Sequence, residues 1–221
     1  RRRAVESHLK TTRSPTWMEL PGTIRALETR PSTEVTEAWP TYIMLVSTSL
    51  VLEYDFCTRA GRCSPPIRPP GDAHGPVREV TWSQALEYCR FVGKRLPTEA
   101  EWERAAAGAA GRRYPWGDEA DCSRAQLACQ GATGPVAAAE AGRDRSPEEV
   151  LQLTGNVSEW VADWFNDVRS PAAQGPETGV KRTVKGGSYR TPLRQATAGF
   201  RFGLLPQSAQ PDLGFRCARD P

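Results

Sequence analysis

Apolar positions are scattered thinly along this chain, and only two stretches repeat at helical spacing. Thr81-Trp82-Ser83-Gln84 forms a capping box, in which the Thr81 hydroxyl takes a backbone N–H and Gln84 reaches back. Ala85, Leu86, Cys89 and Val92 then fall on one stripe, and Gly93 supplies a C-terminal stop. Thr98-Glu99-Ala100-Glu101 repeats the box and predicts a second helix through Trp102 and Ala105–Ala107 to Gly108. Elsewhere the pattern is extended or irregular. Thr16 to Leu20, before Pro21-Gly22, and Tyr42 to Val46 read as extended, and Glu53 to Cys57 as the start of a short helix. Arg62 to Pro76 holds five prolines and predicts a surface loop. Tyr114 to Asp118 predicts a turn, followed by a loop to Gly142. Asn156 to Trp164 predicts a strand, with Val157 and Val161 in alternation and Trp160 out of step; Arg182 to Lys185 and Gly214 to Ala218 predict strands of one shared sheet. No internal repeat is present. Residues 1–15 read as a charged tail or linker, and residues 16–221 as one α+β domain.

Composition narrows the class. Nineteen glycines and 19 prolines in 221 residues suit a loop-rich globule rather than a helical bundle. A net charge of +3 is too balanced for an electrostatic nucleic-acid binder, so no nucleic-acid partner is expected. The longest clean apolar run, Tyr42 to Val46, falls far short of the roughly 20 residues of a membrane helix, so no span is expected. The first residues carry no apolar signal segment, and any leader is expected to have been removed or to lie outside this stretch.

The six cysteines, Cys57, Cys63, Cys89, Cys122, Cys129 and Cys217, contain no CxxC. That argues against a zinc ribbon or a thioredoxin-like pair. Six cysteines allow fifteen pairings. Sequence alone does not choose among them; the favoured set is the two local pairs, Cys57 with Cys63 and Cys122 with Cys129, together with Cys89–Cys217, and free thiols in a cytosolic protein are the alternative. The paired reading places the chain in an oxidising, extracytoplasmic compartment.

Five motifs follow in order. They are Gly93-Lys94-Arg95-Leu96-Pro97-Thr98-Glu99-Ala100-Glu101-Trp102-Glu103, Tyr114-Pro115-Trp116-Gly117-Asp118, Gly155-Asn156-Val157-Ser158-Glu159-Trp160, Lys185-Gly186-Gly187-Ser188-Tyr189 and Leu213-Gly214-Phe215-Arg216-Cys217. In this order and spacing the chain resembles the formylglycine-generating-enzyme (sulfatase-modifying factor) family, over roughly Trp17 to Arg219. The resemblance implies a loop-rich variant of the C-type lectin fold. Val46 to Pro65 is also similar to the early helix and loop of bacterial secreted or kinase-linked members.

The family's enzymes oxidise a substrate cysteine with two copper-binding cysteines, three and eight residues beyond the serine of the Gly-Gly-Ser-aromatic motif. Counted from Ser188, those positions here are Thr191 and Ala196. Soft copper wants thiolate or thioether ligands, and neither residue supplies one, so neither copper nor formylglycine-generating activity is expected. A second branch holds iron through clustered histidines; His8 and His74 are the only histidines, so no iron is expected. The resemblance also implies a calcium site, with Gln152 at the side-chain position, Gly155 and Val157 as carbonyl donors and Glu159 as the carboxylate. The alternative is that Glu159 pairs with an arginine and Gly155-Asn156 forms a turn. Gln210-Pro211-Asp212 imitates a lectin sugar-specifying tripeptide but lacks its Trp-Asn-Asp partner. Asn156-Val157-Ser158 matches a glycosylation acceptor inside a core motif. Glu99, Glu101 and Glu103 read as capping residues and a solvated face.

By the resemblance, the segment from Arg190 to Leu205 borders a groove for an extended substrate peptide. Ser188, Tyr189, Arg190, Thr191, Arg194, Ala196 and Phe200 are the candidate binding residues; Arg201 reads equally well as an internal ion-pair anchor. The favoured function is a non-catalytic, disulfide-stapled recognition or sensor module for a peptide or protein ligand, extracytoplasmic (periplasmic, cell-surface or secreted) and bacterial. The rivals are an enzyme of altered, non-copper chemistry and a purely structural ectodomain.

Overall fold

The computed structural model describes residues 44–45, 49–67, 72–137, 143–166 and 178–220. The chain divides into Arg1–Trp39 and Pro40–Pro221. The first unit lies outside the described residues, and so do the expected tail boundary, Trp17, Trp39 and His8.

Three short helices carry the local signals. α1 spans Val51–Arg59, with Glu53 accepting from the Leu50 N–H at 3.3 Å. α2 spans Trp82–Phe91 and α3 spans Glu99–Ala107. Both capping boxes form as expected: Thr81 Oγ accepts from Gln84 N and Thr98 Oγ from Glu101 N, each at 3.2 Å, while Gln84 and Glu101 accept in return at 2.8 Å. α2 ends at Val92 and Gly93, and α3 at Gly108; Gly93 and Gly108 both sit at positive φ. The stripe predicted for α2 needs one correction. Ala85, Tyr88 and Cys89 are buried, whereas Val92 lies past the last turn, exposed. Helical spacing fails there because the chain has already left the helix.

The strands are β1 (Met44–Leu45), β2 (Ser158–Trp164), β3 (Arg182–Lys185), β4 (Arg201–Leu204), β5 (Leu213–Phe215) and β6 (Ala218–Arg219). A four-stranded mixed sheet runs β4-β3-β2-β5, with β2 and β5 parallel and the other neighbours antiparallel. β1 pairs antiparallel with β6. The expected Gly214–Ala218 strand is thus split at Arg216 and Cys217 between two sheets. The fold is α+β and loop-rich, as the sequence implied.

Helices α1 and α2 pack on one side of this sheet. Tyr54 stacks on Tyr88 with centroids 5.4 Å apart, and Phe215 meets both edge-on at 6.2 and 5.5 Å. Such pairs add to the burial energy beyond area alone. Trp160, from the centre of β2, donates its indole N–H to the Val80 carbonyl at 3.0 Å. On α3, Trp102 and Ala105–Ala107 pack with Leu153, Val161 and Ala198 in a second cluster. Trp82 and Trp164 sandwich the Arg182 guanidinium at 3.7 and 3.4 Å.

The cysteines pair Cys57–Cys63, Cys89–Cys217 and Cys122–Cys129, the favoured set, with no free cysteine. Cys89–Cys217 ties α2 to the crossover between β5 and β6. Among the described residues no helix is long and apolar enough to cross a membrane.

Candidate functional site

The loop that leaves β3 builds the site. Gly186 and Gly187 both take positive φ. A β-carbon on Gly186 would press on the Trp102 ring and the Leu153 carbonyl, and one on Gly187 would press on Thr191. Glycine therefore lets the backbone turn tightly enough to send Ser188 inward. Ser188 N donates to Thr191 Oγ1 at 2.8 Å and Thr191 N to the Ser188 carbonyl at 2.9 Å. Ser188 Oγ donates to Asp212 Oδ2 at 2.7 Å and accepts from Arg190 N at 3.2 Å. Tyr189 N donates to the Asn156 carbonyl at 3.0 Å, which anchors the loop to the turn before β2.

Beyond it, Leu193–Gln195 forms one 3₁₀ turn, and Ala196 closes it by donating to the Leu193 carbonyl at 3.0 Å. Ala196 is buried against Ala125 and Leu127, with Trp116, Cys122 and Leu193 packed on the same cluster. Trp116 stacks flat on Tyr114 with centroids 5.0 Å apart, and Tyr114 Oη donates to the Leu193 carbonyl at 3.5 Å.

The seven candidate binding residues therefore separate. Arg190 and Arg194 are exposed, and Arg190 lies 5.2 Å over the Tyr189 ring. Thr191 and Phe200 are half-buried, Phe200 tilted against Phe202 at 6.1 Å. Ser188, Tyr189 and Ala196 are buried. Ser188 is consumed by its hydrogen bonds, Tyr189 packs beneath Arg190, and the Ala196 methyl faces apolar neighbours. Arg201 is the internal anchor: it pairs with Glu99 at 2.9 Å, both largely buried.

The glutamates of α3 are not a solvated face. Glu99 pairs with Arg201, Glu101 with Arg95 at 2.6 Å, and Glu103 with the buried Lys185 at 3.2 Å. Each residue both caps or braces the helix and crosses to another element.

Behind the loop lies a buried polar network. Arg216 donates to Glu159 through Nε at 2.6 Å and Nη2 at 2.7 Å, and Trp102 Nε1 donates to the same carboxylate at 2.7 Å. Arg216 Nη2 also reaches the Gln152 carbonyl at 2.7 Å. Asp144 sits beside this network, its Oδ2 accepting from Thr154 N at 2.5 Å. Burial pushes its carboxyl up to about 7; Glu159 adds to the rise, while the Thr154 and Leu153 amides and Arg216 oppose it. Nothing local in the sequence marks Asp144, because its burial is set by chain far from it.

The implied calcium residues, Gln152, Gly155, Val157 and Glu159, lie together on the turn that enters β2 and on its first residues. As a set they do not fit a hard cation. The Glu159 oxygens are held by Arg216 and Trp102, so a guanidinium already supplies the positive charge at that carboxylate. The Gln152 amide donates to the Ala137 carbonyl at 3.3 Å. The arginine alternative is the arrangement observed. Asn156 is buried, its amide exchanging two bonds with the Val136 backbone at 2.9 and 3.1 Å.

Residues 31–221 match the family profile described as the sulfatase-modifying factor enzyme 1-like domain. The chain belongs to that family. It is 40% identical over 171 residues to the formylglycine-generating enzyme of Streptomyces coelicolor, covering 68% of this chain and 54% of that protein. It is 39% identical over 158 residues to the serine/threonine-protein kinase pkn1 of Chlamydia caviae, covering 68% of this chain and 25% of the kinase. The chain thus spans about half of the enzyme and a quarter of the kinase. Among solved structures, the Treponema denticola variable protein 1 shares the fold, with a TM-score of 0.69 at 22% identity over 81% of this chain and 84% of that one. The family domain therefore occurs both in enzymes of this name and within proteins named as kinases.

Proposed function

We propose that this domain is a non-catalytic member of its family that recognises an extended peptide or protein segment along the Arg190–Phe200 face, in an oxidising compartment outside the cytoplasm. The observation that carries the reading is the use made of Thr191 and Ala196. At the two positions where the resemblance implies copper-binding cysteines, one side chain staples the Ser188 turn and the other is a methyl packed in a small core. Neither presents a soft donor or a thiol nucleophile. What the loop presents instead is Arg190 and Arg194, both exposed, with Arg190 lying over the Tyr189 ring. Exposed arginine is a residue type favoured at recognition sites. The three disulfides support the compartment.

The test is calorimetric titration with a panel of extended acidic, neutral and basic peptides. Saturable binding to at least one class, weakened about tenfold in Arg190→Ala/Arg194→Ala, is the expected result; tenfold corresponds to about 1.4 kcal/mol. Absence of binding across the panel, or binding unchanged in the double variant, would overturn the assignment of this face.

A further inference from the structure

We infer that Cys122–Cys129 is a thiol–disulfide exchange site, placed against the loop that carries Thr191 and Ala196. The three disulfides differ in what surrounds them. Cys89 and Cys217 are 0% and 2% exposed and Cys57 and Cys63 are 0% and 8%, whereas Cys129 is exposed and Cys122 half-buried. An attacking thiolate needs access to a sulfur, so the reachable pair is the labile one.

The loop around this pair is held by more than its sulfurs. Ala125 and Leu127 are buried, Asn156 N donates to the Gln126 carbonyl at 2.8 Å, and Gln126 Nε2 donates to the Gly134 carbonyl at 3.0 Å. Gln130 Nε2 donates to the Cys122 carbonyl at 2.6 Å, which bridges the same two ends that the disulfide joins. The bridge also spans a sequence separation of only 7, so little chain is freed when it opens. Opening it therefore leaves the fold in place, which is what a reversible site requires. Its position gives the exchange a consequence: Ala128 N donates to the Thr191 carbonyl at 3.3 Å, and Cys122 packs on the cluster that contains Ala196. The redox state of the loop thus bears directly on the backbone that carries Arg190 and Arg194.

The co-reactant is an external dithiol. Its thiolate attacks Cys129 Sγ, the S–S bond breaks, and Cys122 leaves as a thiolate that takes up a proton. The second thiol of the reductant, losing its proton, then displaces Cys129 from the mixed disulfide. Two electrons pass to the protein, Cys122 and Cys129 end as thiols, and the reductant ends as a disulfide.

The experiment is a graded dithiothreitol titration of the folded protein, quenched with iodoacetamide and read by peptide mass mapping. Cys122 and Cys129 are expected to alkylate at a reductant concentration about tenfold below that needed for the other four cysteines, with the far-ultraviolet circular dichroism unchanged. Alkylation of Cys57 and Cys63 first, or of all six together with loss of structure, would overturn the inference. The variant Cys122→Ser/Cys129→Ser is expected to fold with the same circular dichroism; a variant that fails to fold makes the bridge structural and overturns it equally. No peptide binding enters the readout, so this result is independent of the recognition reading.

Discussion

Removing the Arg216 guanidinium leaves Glu159 as a buried carboxylate without its counter-ion. The two side chains are 0% and 1% exposed, and breaking such a pair from one side typically costs about 3–5 kcal/mol. Arg216→Leu is therefore expected to lose about that much unfolding free energy in urea; a loss below about 1 kcal/mol would mean that the pair is relaxed or hydrated. Asp144 gives a prediction of the opposite kind. Its folded-state carboxyl titrates near 7 against an ordinary 3.8, so between those values the native state holds a proton that the unfolded chain has lost. The group's contribution is complete at acid pH and is lost as pH rises through that window. Unfolding free energy is expected to fall by roughly 2–3 kcal/mol from pH 5 to pH 8 on this account, and the slope to shrink in Asp144→Asn. Equal slopes in the two proteins would contradict it. At this scale the sequence was only half legible. A glutamate inside a motif invited two readings, calcium or arginine, and the arginine that decides between them lies 57 positions away.

The helices were readable because their signals are local. A hydroxyl and a carboxamide or carboxylate three residues apart satisfy each other's backbone whatever the rest of the chain does, and both boxes form. Thr98→Ala is expected to cost about 1 kcal/mol by chemical denaturation, with no change in the denaturant slope. A neutral result would mean that the Glu99 N–H bond to Asp163, at 2.6 Å, already holds the helix start without the hydroxyl. β4 was not legible. Arg201 to Leu204 are all half-buried, with no alternation, and their assignment comes from pairing with β3 across the sheet. The same holds for the groove residues. The burial of Ser188, Tyr189 and Ala196 depends on the Gly186–Gly187 turn and on the 122–129 loop, neither of which a one-dimensional pattern orients.

Across the whole molecule, Cys89–Cys217 closes a separation of 128 residues and joins α2 to the end of the sheet. In the chain-entropy model a bridge of that span contributes about 5 kcal/mol. Cys89→Ala/Cys217→Ala is expected to lose several kcal/mol of stability in thermal unfolding, and far more than Cys122→Ser/Cys129→Ser. Comparable losses would show that span does not govern these bridges. The fold class was legible because five ordered motifs are properties of the chain itself, whereas Cys89–Cys217 joins positions too far apart for sequence proximity to single them out. The task performed by the surface was not legible, because a shared scaffold carries both enzymes and other proteins. The proposed non-catalytic reading rests on the absence of a thiol at Thr191 and Ala196. It is tested most directly by incubating the copper-supplemented protein with a sulfatase-type Cys-x-Pro-x-Arg peptide and following the peptide by mass spectrometry. The peptide is expected to keep its cysteine; conversion of that cysteine to the aldehyde would contradict the account.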